Sequence, residues 1–145
     1  MLNILLFLAA LSASTPPADG RWLYIGDDDQ GMGVLDASRV ERDGDRATVR
    51  VVVAMAELEP GESRLVQFIQ EWDCKTRLKR YQGAHAFDDA IKPVSSADAP
   101  REWTSTGDAT PFGRVRAYVC DGEPLPEAGT SYPEILRRYL ARFVI

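Results

Sequence analysis

The residues that could carry chemistry are few and lie far apart in the sequence. The chain has one histidine, His85, and two cysteines, Cys74 and Cys120. Three consecutive aspartates at positions 27–29 suggest a calcium loop, but an EF-hand needs an acidic or amide side chain at its fifth position, where this chain has Gly31. The sequence contains neither a G-x-S-x-G nucleophile motif nor a glycine-rich phosphate loop. We therefore expect no catalytic site, no metal site and no cofactor.

The two cysteines are predicted to form a disulfide. An even pair in an oxidising compartment is most simply a bridge, and two free buried thiols are the alternative. A zinc site would need two further ligands, and His85 is the single histidine. A bridge between Cys74 and Cys120, which are 46 positions apart, would restrict the unfolded chain by about 4 kcal/mol on the chain-entropy model.

The most distinctive charged segment spans residues 73–80 and reads DCKTRLKR. On an extended chain Lys75, Arg77 and Lys79 would project to one side, and Arg80 follows directly. In a chain of net charge −5 these four cations predict a local positive surface for an anionic polymer or an acidic protein. The alternative interpretation is a solvated edge strand whose lysines prevent aggregation.

The N-terminus predicts export. Residues 2–11 form an apolar run of about ten residues, too short to span a bilayer but suited to the h-region of a signal peptide. Small residues follow, so residues 1–14 are predicted as a signal peptide that is cleaved after Ala13 or Ser14. No cysteine lies directly after the run, so we expect a periplasmic or secreted protein that is not a lipoprotein. The mature chain lacks a transmembrane run, and its negative charge argues against nucleic acid as a partner.

The remaining 131 residues suit one domain. Residues 47–55 alternate apolar and polar as in a half-buried antiparallel strand, with Ala47, Val49, Val51, Val53 and Met55 on the apolar face. Asp43 and Gly44 predict a two-residue hairpin turn, which would pair Glu41 with Arg46 and Val40 with Ala47. Further strands are predicted at 21–26, 33–40, 64–74 and 73–87. Whether the chain turns back at Cys74 or continues through it stays open at this point.

The C-terminal third has a different pattern. Residues 88–110 predict a long loop, and Pro111 begins a short helix that is capped by Thr110 and ends near Cys120. Residues 122–130 predict a linker. Residues 131–145 predict an amphipathic helix with apolar side chains at helical spacing and a capping box formed by Ser131 and Glu134.

Several of these features occur in a particular order. They are Trp22, Asp36, the valine-rich strand, Asp73-Cys74-Lys75-Thr76-Arg77, Tyr81, Trp103, Pro111 and Cys120. This order, over residues 21–121, resembles the surface-adhesin E family of small exported bacterial proteins. The resemblance implies a mainly β (α+β) fold, a single curved antiparallel sheet of about six strands with a disulfide-tethered helix, in a domain of residues 20–121. The resemblance also implies that the member that gives the family its name binds host matrix proteins. That member resembles an outer-membrane lipoprotein, and the linker and arginine-rich tail helix are additional in this chain.

Three functional hypotheses follow. The first is a binding module for an extracellular or envelope protein or an anionic polymer, with Lys75, Arg77, Lys79 and Arg80 as candidate contacts. The second is a structural or assembly component of the periplasm that forms homo-oligomers through its sheet or tail helix. The third is an enzyme whose carboxylates converge only in the fold.

Overall fold

The computed structural model describes residues 19–27, 31–55, 65–88, 92–97 and 100–141 of the 145-residue chain. The predicted signal peptide lies outside the described residues. The strands are β1 (Asp19–Asp27), β2 (Gly31–Asp36), β3 (Glu41–Asp43), β4 (Arg46–Met55), β5 (Leu65–Asp73), β6 (Leu78–Phe87), β7 (Pro93–Ala97) and β8 (Glu127–Ser131). The helices are α1 (Pro111–Asp121) and α2 (Tyr132–Leu140). No helix in these ranges is long and apolar enough to cross a membrane.

The strands form one open antiparallel sheet, which confirms the predicted fold class. Its order is β7-β6-β5-β4-β2-β1-β8, and β3 pairs with β4 beside this path. The sheet has eight strands rather than about six. Strand β7 lies in the segment predicted as a loop, and β8 lies in the segment predicted as a linker. Neither has the apolar alternation that a half-buried strand shows, because each is a short edge strand.

In the part of the chain that the structure describes, each face of the sheet is covered by one helix. Val51 of β4 joins the apolar cluster that includes Val115 and Val119 of α1. The next residue, Val52, joins the opposite cluster with Ile135 and Tyr139 of α2. Because successive strand residues point to opposite faces, the sheet is the middle of three layers. The prediction that β4 buries only one face was therefore incomplete.

The turn of the β3–β4 hairpin lies one residue later than predicted, which shifts the register of the two strands by two residues. Asp43 pairs with Arg46 and Arg42 with Ala47, so Gly44 and Asp45 are the turn residues. Gly44 adopts φ 60°, as the first central residue of a type II′ turn does. Because the register shift is two residues, the β3 side chains keep their predicted faces relative to β4, and Val40 packs against the apolar cluster that includes Ala47.

The helix boundaries follow local signals. The Thr110 side chain accepts a hydrogen bond from the Gly113 N–H at 3.0 Å, and Pro111 occupies the first turn, as predicted. Gly122 ends α1 in the left-handed conformation, φ 72°. Helix α2 begins at Tyr132, and the Ser131 side chain makes no capping bond, so the predicted capping box is wrong.

Candidate binding surface

The predicted cationic segment is a turn and not an extended chain. Strand β5 ends at Asp73, the chain reverses, and β6 returns beside β5 from Leu78. Asp73 holds the turn: its Oδ1 accepts the N–H groups of Lys75 at 3.0 Å and Thr76 at 3.3 Å, while its carbonyl accepts the Arg77 N–H at 2.7 Å. Arg77 takes φ 61°, the left-handed conformation that closes the turn. The open question at Cys74 is thus resolved as a hairpin.

This hairpin separates the four predicted cations. Lys75 is exposed at the tip. The Arg77 guanidinium makes two bonds of 2.9 Å to the Asp121 carboxylate at the end of α1. Lys79 and Arg80 are successive residues of β6 and point to opposite faces of the sheet. A single stripe of four free cations does not exist in this fold.

Lys79 is the most enclosed of the four. Only 7% of its surface is exposed, and its pairing with the buried Trp72 places it on the α1 face. Its ammonium lies 4.7 Å from the ring centre of Tyr81 and 5.7 Å from that of Phe112. Burial lowers the pKa of Lys79. No carboxylate among the described residues pairs with it; the ammonium contacts the two aromatic faces and donates to the Thr104 hydroxyl at 3.4 Å.

Arg80, by contrast, belongs to a group that we call the Arg–Trp cluster. Its guanidinium lies 4.6 Å from the ring centre of Trp103, and that of Arg46 lies 5.3 Å from the same ring. Both arginines also bond the Glu71 carboxylate, at 3.2 Å from each. The Gln82 amide donates to the second oxygen of Glu71. The cluster comprises these five residues: Arg46, Glu71, Arg80, Gln82 and Trp103.

Four elements position the cluster. Arg46 begins β4, Glu71 lies on β5, and Arg80 pairs directly with Glu71 across the β5–β6 ladder. Trp103 precedes Thr104, which exchanges backbone bonds of 2.9 and 2.7 Å with Lys79. The cluster therefore occupies the β4–β6 part of the α2 face, while α2 itself packs against β8 and β1.

The electrostatics of the cluster are asymmetric. The Glu71 side chain is 8% exposed and receives bonds from three neighbours, whereas the Arg46 side chain is 53% exposed. Two guanidiniums share one buried carboxylate beside an aromatic ring, and Asp43 and Asp73, the cross-strand partners of Arg46, add carboxylates near its exposed guanidinium. Such a group can bind a carboxylate, sulfate or phosphate through charge-assisted hydrogen bonds, with the guanidinium planes already ordered by the ring.

Sequence reasoning missed four of the five members. Arg46 and Trp103 are 57 positions apart, and only the sheet register brings them together. Alternation along β5 and β6 could have placed Glu71 opposite Arg80 if the hairpin at Cys74 had been recognised. No periodicity could have placed Trp103, because it follows an irregular segment.

The predicted disulfide is present. Cys74 and Cys120 are bridged with their Cα atoms 5.2 Å apart, and no free cysteine remains. The bridge joins the β5–β6 turn to the last turn of α1, as predicted. Beside it, Arg42 donates to the Val119 carbonyl at 2.7 Å. The covalent link and this bond together fix the end of α1 to the sheet.

The other residues first considered for chemistry lie apart. His85 is half-buried on β6 and pairs with Gln67 across the ladder. Of the three aspartates, Asp27 ends β1 and the other two fall outside the described residues. Within the described ranges, no three His, Cys, Asp or Glu side chains are grouped to hold a metal ion.

Comparison with known proteins identifies the family. The sequence profile of the family described as surface-adhesin protein E matches residues 22–121, which are 100 of the chain's 145 residues. The match includes both cysteines and the whole Arg–Trp cluster, while β8 and α2 lie beyond it. No curated protein and no solved structure shows significant similarity to the chain. The chain belongs to the surface-adhesin protein E family, which confirms the resemblance inferred from the sequence.

Proposed function

We propose that this chain is a non-catalytic, adhesin-like binding module that engages an acidic partner through the Arg–Trp cluster. Membership of a family of surface adhesins supports a binding role. The observation that carries the choice of surface is the sharing of one buried carboxylate and one indole ring by Arg46 and Arg80. The partner class is a host matrix protein with an acidic segment, or an anionic polymer. Lys75, exposed at the tip of the β5–β6 hairpin, is the one predicted cation outside the cluster that we retain as a contact.

The physical case rests on preorganisation. A long arginine side chain normally loses rotamer freedom when it binds an anion, which weakens binding. Here the ring of Trp103 and the carboxylate of Glu71 already restrict both guanidiniums before a ligand arrives. The Arg46 guanidinium is half-exposed, so an acidic ligand can reach it and bind it through charge-assisted hydrogen bonds in a protein of net charge −5.

The compartment is part of the proposal. We infer that residues 1–14 direct export and are removed, which leaves the domain in the periplasm or the medium without a lipid anchor. The disulfide agrees with an oxidising compartment. Fractionation of the native host, with mass spectrometry of the mature N-terminus, tests this directly. Recovery of the full-length chain from the cytoplasm would contradict it.

The binding test uses a matched pair of arginines. Arg46→Gln removes one guanidinium of the cluster, and Arg21→Gln removes an equally exposed guanidinium that pairs with Glu127 on the opposite edge of the sheet. Both variants have the same net charge. Affinity is measured against host matrix proteins, heparin and polyglutamate by surface plasmon resonance over a range of salt concentrations.

We expect Arg46→Gln and Trp103→Ala to weaken binding by about tenfold or more, and Arg21→Gln to leave it nearly unchanged. Binding should also fall steeply as salt rises, since exposed charges are screened within about 8 Å at physiological ionic strength. Equal losses for Arg46→Gln and Arg21→Gln would show that net charge alone attracts the ligand. Unchanged binding by both cluster variants would remove the cluster as the site.

A further inference from the structure

The two edges of the sheet are protected by different means. At the β8 edge, Arg138 of α2 donates to the Ala128 carbonyl at 3.1 Å, and Arg21 pairs with Glu127. The β1–β8 register is also interrupted twice, and Gly129 adopts φ 148°. Charged side chains and irregular backbone are the devices by which natural sheets discourage further strand pairing. This edge is closed to an additional strand.

The β7 edge has fewer of these devices among the described residues: Pro93 begins the strand, and the β6–β7 register is interrupted once, between Ala86 and Phe87. Pro93 to Ser96 are all exposed, Val94 to 60%, and Pro93–Ala97 contains no charged residue. The pairing of Ser95 with Ala86 and of Ser96 with His85 is regular, so backbone N–H and C=O groups on the outer side of β7 alternate as in a normal strand. The small side chains leave this backbone accessible.

The same edge leads to the Arg–Trp cluster. In the part of the chain described after β7, two further residues bond β6: the Pro100 carbonyl accepts the Tyr81 N–H at 3.1 Å, and Thr104 exchanges two backbone bonds with Lys79. Because backbone groups alternate in direction along a strand, those of Trp103 point away from β6 when those of Thr104 point toward it. An extended ligand lying along this edge would therefore reach Trp103 and its two arginines at one end.

We propose that the outer edge of β7 receives an extended segment of the protein partner as an additional antiparallel or parallel strand, with an acidic side chain of that segment bound at the Arg–Trp cluster. This inference rests on the proposed binding function and narrows the partner to a polypeptide. Strand addition obtains affinity from main-chain hydrogen bonds and specificity from side chains that meet local pockets or charges. An anionic polysaccharide has no matching alternation of donors and acceptors.

Two neighbouring residues of β7 provide the test. Adjacent strand residues direct their N–H groups to opposite sides, so one of Ser95→Pro and Ser96→Pro removes an outward N–H, and the other breaks the β6–β7 ladder. Thermal unfolding identifies the outward variant as the one that retains the wild-type melting temperature. The probe is an array of overlapping peptides of about twelve residues, taken from host matrix proteins and bound to the full-length mature protein.

We expect peptides with an acidic residue at one end of a β-branched run to bind, and the outward proline variant to weaken that binding by about tenfold or more. N-methylation of the peptide should reduce binding at every second position, because only alternate N–H groups of an added strand face the sheet edge. This profile tests strand addition even if both proline variants unfold. A flat N-methylation profile, or full binding by a folded outward variant, would overturn strand addition.

Two further outcomes separate this inference from the proposed function. If folded matrix proteins or heparin bind in a manner that requires Arg46 but no peptide does, the binding function stands and strand addition is wrong. If light scattering shows a dimer that the outward proline variant abolishes, a second copy of the chain is the occupant of the edge, and the partner assignment is wrong.

Discussion

The two helices cover opposite faces of one sheet, but they are attached by different means. Helix α1 is joined to residues far away in sequence by the Cys74–Cys120 bridge, the Arg77–Asp121 ion pair and the Arg42 bond to the Val119 carbonyl. Helix α2 follows β8 without a loop. It is attached by the burial of Ile135 and Tyr139 and by the bond from Arg138 to the preceding strand.

The difference shows two ways of covering a sheet. A helix that is remote in sequence from the strands it covers gains from crosslinks that limit the unfolded chain. A helix that continues directly from an edge strand is already confined to that edge, so packing of its apolar side suffices. Gly129 supports this packing, because a Cβ at that position would lie 3.2 Å from the Ile135 side chain.

The largest effect is expected from deletion of the residues after Gly129. The deletion removes α2 and exposes buried residues on that face, among them Trp22 and Val52. We expect a loss of about 5 kcal/mol or more, which equals much of a domain's total stability. Thermal unfolding and light scattering measure it, and Ile135→Ala in the full chain, expected to cost about 3 kcal/mol, is the graded control. A truncated protein with the wild-type melting temperature and mass would show that α2 contributes nothing.

The next effect is expected from the disulfide. Replacing Cys74 and Cys120 together by serine should lower the free energy of unfolding by about 4 kcal/mol on the chain-entropy model. Hydrogen exchange should then increase more in α1 than in α2, because only α1 is held by the bridge. Non-reducing mass spectrometry of the native protein should show one intramolecular link. Equal exchange increases in both helices would contradict the contrast between them.

Much of the fold follows from local sequence signals. The alternation in β4, the cap at Thr110 and the pairing of the two cysteines are each set by a few neighbouring residues or by simple counting, and the structure confirms them. Strands β7 and β8 could not be predicted, since their composition is ordinary for loops and only their sheet neighbours order them.

The candidate site was predicted less well for a related reason. The assumption of an extended chain through Cys74 grouped Lys75, Arg77 and Lys79, whereas the turn with Arg77 at positive φ separates them. The strand register then decides which aromatic ring each cation contacts: Lys79 lies over Phe112, and Arg80 lies over Trp103. These contacts depend on pairing between distant segments, which local patterns do not encode.

A smaller effect on the free energy of unfolding is expected at Lys79, where substitution should stabilise the protein. Burial lowers its pKa in the folded protein, so the unfolded chain binds more protons between the folded pKa and the ordinary value of 10.5. Stability should therefore rise with pH through that window, and the full cost of burying the charge is present below it. Lys79→Met should stabilise the protein by about 1 kcal/mol at neutral pH, after loss of the contacts with Tyr81 and Phe112.

Urea unfolding of wild type and Lys79→Met at several pH values measures this. The advantage of the variant should shrink as the pH approaches 10.5. Burial raises the pKa of Tyr81, which weakens both proteins at high pH and cancels in their difference. A destabilised variant at neutral pH would mean that the aromatic contacts outweigh the burial cost.

The smallest effect is expected from the Arg77–Asp121 ion pair, although it lies beside the disulfide. Both side chains are substantially exposed, 46% and 38%, so water and salt screen their attraction. The bond from Arg77 lowers the pKa of Asp121, so whatever the pair contributes is present above the ordinary aspartate pKa and is lost as the pH falls through the lowered value. Asp121→Asn should therefore differ from wild type by less than the error of a urea titration at neutral pH.

The matched test repeats the titration in the Cys74→Ser, Cys120→Ser background, where the ion pair is the remaining side-chain link between the β5–β6 turn and the end of α1. A clear loss on Asp121→Asn in that background, with none in the bridged protein, would show that the disulfide conceals the pair's contribution, and a clear loss in both would contradict the assignment of α1's attachment chiefly to the covalent bridge.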